Sequence, residues 1–297
     1  MSTLATLAVA ALVANGPSVL VSPADLAASF DDPALVVLHV ANHDAEFAEG
    51  HVPGARFVRY SSIADNGDAL GSELPTVETL VTLFESLGVS DASRVIVYGS
   101  PIAATRLFFT LDYLGHANVQ VLNGGLAGWR AEGRPVETGT TQSGASASPP
   151  GTRPRALAAV QLTPHVKADR RAMADFIEAR LDEPVQMTLV DARPEDEFTG
   201  IRTMGGARAP GHIPGARQLV WSSLADQSGR FLPDQELRRK LEAAGAKPAV
   251  PLVTYCMVGM RASVVYFVAR HLGYDARMYD GSMVDWSRRM LPVRSGK

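Results

Sequence analysis

Cys256 is the sole cysteine of the chain, and it opens the run Cys256-Met257-Val258-Gly259-Met260-Arg261. A single thiol forms no internal disulfide and no cysteine-rich zinc site, which needs several ligands. Two readings remain: a small buried hydrophobe or a reactive sulfur nucleophile. The surrounding pattern separates them. The run follows Leu252–Tyr255, which reads as a buried strand, and leads into Arg261–Leu272, which reads as a helix. A thiolate at that junction faces unpaired helix N–H groups and the positive end of the helix dipole. Arg261 adds a fixed cation, and Gly259 lets the loop curl until successive N–H groups point inward as an anion nest. Both effects favour the thiolate, which is the attacking form. The expectation is a nucleophilic Cys256 with Met257, Val258, Gly259, Met260 and Arg261 forming the cradle for an anion or for a persulfide sulfur. A purely structural Cys256 would instead be buried and slow to react with iodoacetate near neutral pH.

Elements able to position such a loop are present twice. Gly50-His51-Val52-Pro53-Gly54-Ala55 recurs as Gly211-His212-Ile213-Pro214-Gly215-Ala216. The segment YLGHANVQVLNGGLAGW, ending at Trp129, recurs as HLGYDARMYDGSMVDW, ending at Trp286. Val95–Tyr98 matches Leu252–Tyr255, and the order of the three matches is kept. Within each copy short apolar runs alternate with helical spacing. The first reads as strands at Ala34–Leu38, Arg94–Tyr98 and Val119–Leu122, with helices at Val77–Leu87 and Ala103–Leu114, each halted by a glycine. The second reads as strands at Met187–Val190, Leu252–Tyr255 and Ala276–Tyr279, with helices at Pro233–Ala244 and Arg261–Leu272. Such alternation implies an α/β fold: two tandem domains, each a mostly parallel sheet with helices on both faces. Ligands in these sheets bind beyond the carboxyl ends of the strands. Residues 138–154, rich in Gly, Ser, Thr and Pro, lack the apolar groups to order themselves. The predicted organisation is a domain at 1–137, a linker at 138–160 and a second domain at 161–297.

The bulk numbers narrow the function. With 46% hydrophobic and 20% charged residues the chain is of ordinary globular composition, and a net charge of -3 gives no nucleic-acid face and no attraction to an anionic membrane. The N-terminal MSTLATLAVAALVANG is apolar but has no Lys or Arg before the run and is too short to span a bilayer. It reads as a packed or frayed segment, with a reducing cytoplasmic setting as the expectation.

From about Val21 to Trp286 the chain resembles the tandem-domain rhodanese family of thiosulfate and 3-mercaptopyruvate sulfurtransferases, and is most like the bacterial thiosulfate enzymes. The marks are Leu189-Val190-Asp191-Ala192-Arg193, GHIPGA at 211–216, the cysteine loop and YDGSMVDW at 279–286. The resemblance implies an inactive first copy and a catalytic second one. The first copy has Gly99-Ser100-Pro101-Ile102-Ala103-Ala104 where the second has the cysteine loop, and Val40-Ala41-Asn42 in place of Asp191-Ala192-Arg193. It further implies sulfane-sulfur transfer through a Cys256 persulfide, from a small-molecule donor to cyanide or a thiol. No metal or organic cofactor is implied, and a protein sulfur acceptor is allowed. Arg193 is expected either to add positive potential to the substrate site or to brace the domain by pairing with a carboxylate. Asp191 is expected to tie down a turn or that arginine.

The loop spacing C-x-x-x-x-R is one residue shorter than the C-x-x-x-x-x-R of cysteine phosphatases, which disfavours a tetrahedral phosphate. Mercaptopyruvate enzymes resemble a C-G-S-G-V-T loop and carry arginines that grip the substrate carboxylate. Here Glu197 stands where one of those arginines is expected, with Arg202 and Arg208 as substitutes in TGIRTMGGARAP. Thiosulfate is therefore preferred, with mercaptopyruvate as the alternative and a persulfide carrier or regulatory module as the non-catalytic one. His212 and Trp286 recur in the thiol-free copy as His51 and Trp129, so both read as scaffold. Trp221, whose counterpart is Tyr60, reads as pocket lining or domain packing. Ser263 reads as a cap or as a hydroxyl for the persulfide.

Overall fold

The apolar β-branched runs become the strands of two sheets, in a computed structural model that describes residues 18–64, 72–139, 160–182, 186–204 and 206–296. The N-terminal segment up to Gly16 and most of the predicted linker lie outside the described residues. The first domain runs β1 (Leu20–Val21), α1 (Pro23–Ala27), β2 (Leu35–Ala41), α2 (Asp44–Glu49), β3 (Arg56–Arg59), α3 (Val77–Ser86), β4 (Arg94–Gly99), α4 (Pro101–Tyr113), β5 (Val119–Leu122) and α5 (Gly125–Ala131). The second repeats that order: β6 (Arg171–Ala172), α6 (Ala174–Glu178), β7 (Thr188–Asp191), α7 (Glu195–Phe198), β8 (Arg217–Gln218), α8 (Asp234–Ala243), β9 (Leu252–Tyr255), α9 (Ala262–His271), β10 (Ala276–Tyr279) and α10 (Ser282–Arg288). The sheets have orders β1-β5-β4-β2-β3 and β6-β10-β9-β7-β8, with every described strand pair parallel.

Alternation along each strand decides what lies on either face. In β2, Val36, Leu38 and Val40 enter one core while Val37 and Ala41 enter another. In β9, Leu252 faces the first of these and Val253 and Tyr255 face away from it. Helices therefore cover both faces of each sheet, as the periodicity implies. The core containing Val36 and Leu252 is continuous across the domains, because α4 and α9 pack against each other. Phe108 meets Phe267 edge-on at 5.0 Å, and Phe109 meets Tyr266 in the same way at 5.1 Å. Each such aromatic pair adds about 0.5–1.5 kcal/mol beyond its buried area. A polar clasp sits beside them: Asp112 of α4 accepts from Tyr266 Oη at 2.6 Å and from Arg270 Nε at 3.0 Å.

Local chemistry accounts for the helix starts. Ser100 caps α4 by accepting the Ala103 N–H at 3.3 Å, with Pro101 in the first turn. The helix thus begins two residues before the predicted Ala103. Residues assigned by sequence to the start of the second domain lie on the first instead. Thr163 N donates to Asp91 at 2.7 Å, and His165 N donates to the Leu114 carbonyl at 2.9 Å. The second sheet begins only at β6. No described helix is long and apolar enough to cross a membrane.

Candidate active site

Cys256 is the first residue beyond β9, and the alternation that sends Tyr255 to the outer core sends Cys256 to the core shared by both domains. It is fully buried, Met257 and Gly259 are buried as well, and Val258, Met260 and Arg261 are partly exposed. Two turns of chain pin the loop from behind. Cys256 N donates to Ser282 Oγ at 3.1 Å, and Ser282 Oγ donates to the Tyr279 carbonyl at 2.8 Å. The carbonyls of Cys256 and Met257 accept the N–H groups of Met283 and Val284 at 3.2 and 3.1 Å. Among the described residues, no acceptor takes the N–H groups of Val258, Gly259, Met260 and Arg261. These four donors of the loop are thus unengaged.

Gly259 has φ +83, and a Cβ there would lie 2.5 Å from the Asp280 carbonyl oxygen and 2.6 Å from Asp280 Oδ1. Only glycine fits that approach. Asp280 in turn joins the loop to the first domain. Its Oδ1 accepts from Arg106 Nη1 at 2.5 Å and its Oδ2 from Leu74 N at 2.9 Å, while Arg106 Nη2 donates to the Ser72 carbonyl at 2.6 Å. Arg106 and Asp280 are both completely buried.

At the mouth, Arg261 presents Nη1 and Nη2 to the two carboxylate oxygens of Glu197, both at 2.8 Å. Glu197 is buried at 2% side-chain exposure and Arg261 keeps 21%. Burial works against the Arg261 charge, but the Glu197 hydrogen bonds and the nearby Cys256 sulfur more than offset it and raise the guanidinium pKa. Arg202 stands behind, bound to Asp196 at 2.8 Å and 3.5 Å from Glu197. Glu197, which stands where a carboxylate-gripping arginine is expected, is made by the fold the counter-ion of the loop arginine.

Arg193 lies buried with Nε shared between the Asp191 carboxylate oxygens at 2.9 and 3.0 Å, and Nη2 on Asp191 at 2.6 Å and on the Gly211 carbonyl at 2.9 Å. Of the two roles foreseen for it, this geometry is that of a brace. Its charge is held above the usual arginine range by Asp191, against the opposing effect of burial. The two histidines are twins in detail. His212 Nδ1 meets the Phe198 carbonyl at 2.8 Å with the rings stacked at 3.8 Å, and His51 Nδ1 meets the Phe47 carbonyl at 2.9 Å with the same stacking distance. Trp286 and Trp129 likewise donate to the Pro292 and Pro135 carbonyls at 2.7 and 2.6 Å. All four are scaffold. Ser263 Oγ donates to the Met260 carbonyl at 2.7 Å and lies 2.9 Å from Thr105 Oγ1, so it closes the helix turn and the domain boundary. Trp221 is partly buried against the shared core.

The sequence reading missed Asp280, Ser282 and Arg106. A signal for Ser282 was available. Its counterpart in the first copy is Gly125, and the two share a left-handed backbone, φ 51 and 52. A serine at a position that suits glycine marks a hydroxyl in use.

The model of the rhodanese-like domain matches residues 22–132 and again 173–289. The chain is 31% identical over 269 residues to a thiosulfate sulfurtransferase of Azotobacter vinelandii, covering 90% of this chain and 93% of that one. It is 30% identical over 297 residues to the sulfur carrier protein TtuD of Thermus thermophilus, covering 95% and 98%. The crystal structure of SseA from Escherichia coli, a 3-mercaptopyruvate sulfotransferase with the rhodanese fold, superposes with a TM-score of 0.74 at 25% identity, covering 89% of this chain and 98% of that one. Two matched repeats, each with the same ten-element order and only the second with a thiol at the end of its central strand, place this chain in the rhodanese-like family as a tandem-domain member.

Proposed function

We propose that the protein is a sulfurtransferase that carries the outer sulfur of thiosulfate on Cys256 and passes it to cyanide or a thiol. The observation that carries this reading is Cys256 itself, at the end of β9 and before α9, facing a loop whose N–H groups are unengaged. The Cys256 thiolate attacks the outer sulfur, the S–S bond of thiosulfate breaks, and its electron pair leaves with sulfite. An acceptor then attacks the outer sulfur of the persulfide and the electron pair returns to Cys256. Backbone N–H groups of Met257, Val258, Gly259, Met260 and Arg261 hold the anionic sulfur and stabilise the charge that develops on it. Arg193 acts by bracing Asp191 and the GHIPGA turn, outside substrate contact.

Thiosulfate is favoured over mercaptopyruvate because no arginine at the mouth is free to grip a substrate carboxylate: Arg261 is engaged by Glu197 and Arg202 by Asp196. A free thiol of this kind suits a reducing, cytoplasmic setting. The similarity to a sulfur carrier supports a second acceptor class, a partner protein's thiol.

Purified protein given thiosulfate and cyanide should form thiocyanate, and Cys256→Ser should abolish it. Parallel kinetics should give the higher kcat/KM with thiosulfate; a far higher value with 3-mercaptopyruvate reverses the substrate assignment. An inactive protein whose Cys256 still gains the mass of one sulfur is a carrier. A buried Cys256 that neither turns over nor reacts with iodoacetate near pH 7 is structural.

A further inference from the structure

The loop carries one cation, Arg261, and both of its terminal nitrogens are taken by Glu197. Thiosulfate arrives with two negative charges, and sulfite leaves with two, so the sulfonyl oxygens need donors beyond the loop. Three candidates come from the first domain. Tyr60 Oη, Ser72 Oγ and Arg106 Nε are buried and have no hydrogen-bond partner among the described residues. Tyr60, Ser72 and Arg106 are each more than nine-tenths buried. A buried donor left without a partner is costly, and these three adjoin one another, Arg106 through its bond to the Ser72 carbonyl and Tyr60 beside Ser72, a grouping that suits an anionic ligand.

Their placement is consistent. Arg106 Nη2 touches the Ser72 carbonyl, and Arg106 Nη1 touches Asp280, against which Gly259 of the cysteine loop closes. The Tyr60 and Ser72 hydroxyls lie beside one another without meeting hydrogen-bond geometry, and the charge of the Cys256 sulfur reaches both Tyr60 and Arg106. Burial, with Arg106 and Ser72 opposing it, pushes the Tyr60 phenol up to about 12, so the hydroxyl stays a donor at physiological pH.

We propose that Tyr60 Oη, Ser72 Oγ and Arg106 Nε form the subsite that holds the sulfonyl oxygens of the sulfur donor against Cys256. The thiol-free copy then supplies substrate contacts. This deepens the thiosulfate reading above and rests on it.

The test uses Tyr60→Phe, Ser72→Ala and the double variant in the full chain. Arg106 is left in place, because its removal strands the buried Asp280 charge. Two readouts are needed: KM and kcat for thiosulfate, and product inhibition by sulfite. Each single variant should lose about ten-fold in kcat/KM and bind sulfite about ten-fold more weakly, the size of one hydrogen bond to a charged group. The melting temperature should stay near that of the wild type. Thiosulfate kinetics and sulfite inhibition within two-fold of the wild type in the double variant overturn the subsite. So does a loss of activity with sulfite inhibition unchanged, since the loss then lies in packing. A wild-type protein that does not turn over thiosulfate overturns the proposed function itself, a result separate from either.

Discussion

Arg261 and Glu197 meet in a paired hydrogen bond, 2.8 Å on each side, across 64 residues of chain. The arginine that closes the cysteine loop is therefore a neutralised one, and the loop's attraction for anions comes mainly from its backbone.

Removing the carboxylate charge exposes that arginine. Glu197→Gln should lower KM for thiosulfate by several-fold to about ten-fold, as an unopposed cation near a divalent anion gains roughly 1 kcal/mol in a partly solvated mouth. Arg261→Ala should do the reverse and also destabilise by about 2–3 kcal/mol. That is less than the 3–5 kcal/mol of a fully buried pair, because Arg261 keeps 21% exposure. Steady-state kinetics and denaturant melts of both variants check this.

Gly259→Ala should be among the most damaging single-atom additions to the loop. The new methyl meets the Asp280 carbonyl at 2.5 Å, and φ +83 is strained for alanine. The cost should be about 1–3 kcal/mol of stability, with a fall in kcat/KM of at least 100-fold as the N–H groups turn out of register with Cys256. An active Gly259→Ala enzyme would show that the loop does not need this approach.

Ser282→Gly separates backbone strain from hydrogen bonding. Glycine suits φ 51, as Gly125 shows at the twin position, but it deprives Cys256 N of its acceptor. Stability should stay within about 1 kcal/mol of the wild type, because the two effects oppose each other. Activity should fall about ten-fold. Ser282→Ala keeps the strain and loses the bond, so it should be the less stable of the two in a thermal melt.

Acid should unfold the first domain through His39. The ring is buried against Tyr98 at 4.5 Å. Burial first, and then the charge of His51, lowers its pKa from 6.5 to about 4, with Glu46 opposing. The folded value lies below the unfolded one, so the unfolded chain binds the proton first. The stability tied to neutral His39 is complete above about pH 6.5 and is lost as pH falls toward 4, by about 2–3 kcal/mol in all. His39→Leu should flatten the stability profile in that window; an unchanged slope in urea melts from pH 7 to 4 counts against the assignment.

Much of this was legible in the chain alone, for a local reason. Cys256, Gly259 and Arg261 lie within six residues, and strand and helix periods on either side are local patterns. The duplicated GHxPGA and closing-tryptophan segments worked as an internal control, and the matched geometry of His51 with His212 follows from it. The outer strands β1, β6 and β8 are two residues each, too short to leave a period, and only their neighbours in the sheet create them. Helix α7 has four residues and failed to register for the same reason.

What the sequence determined by itself is the duplicated α/β frame, the single thiol and its place between a strand and a helix. The tertiary structure decided the electrostatics around that thiol. Glu197 reaches Arg261 and Arg106 reaches Asp280 only because the fold brings distant segments together. In a buried site the partner of a charge, more than the charge itself, sets its effect, and partners separated by 64 and 174 residues leave no local trace.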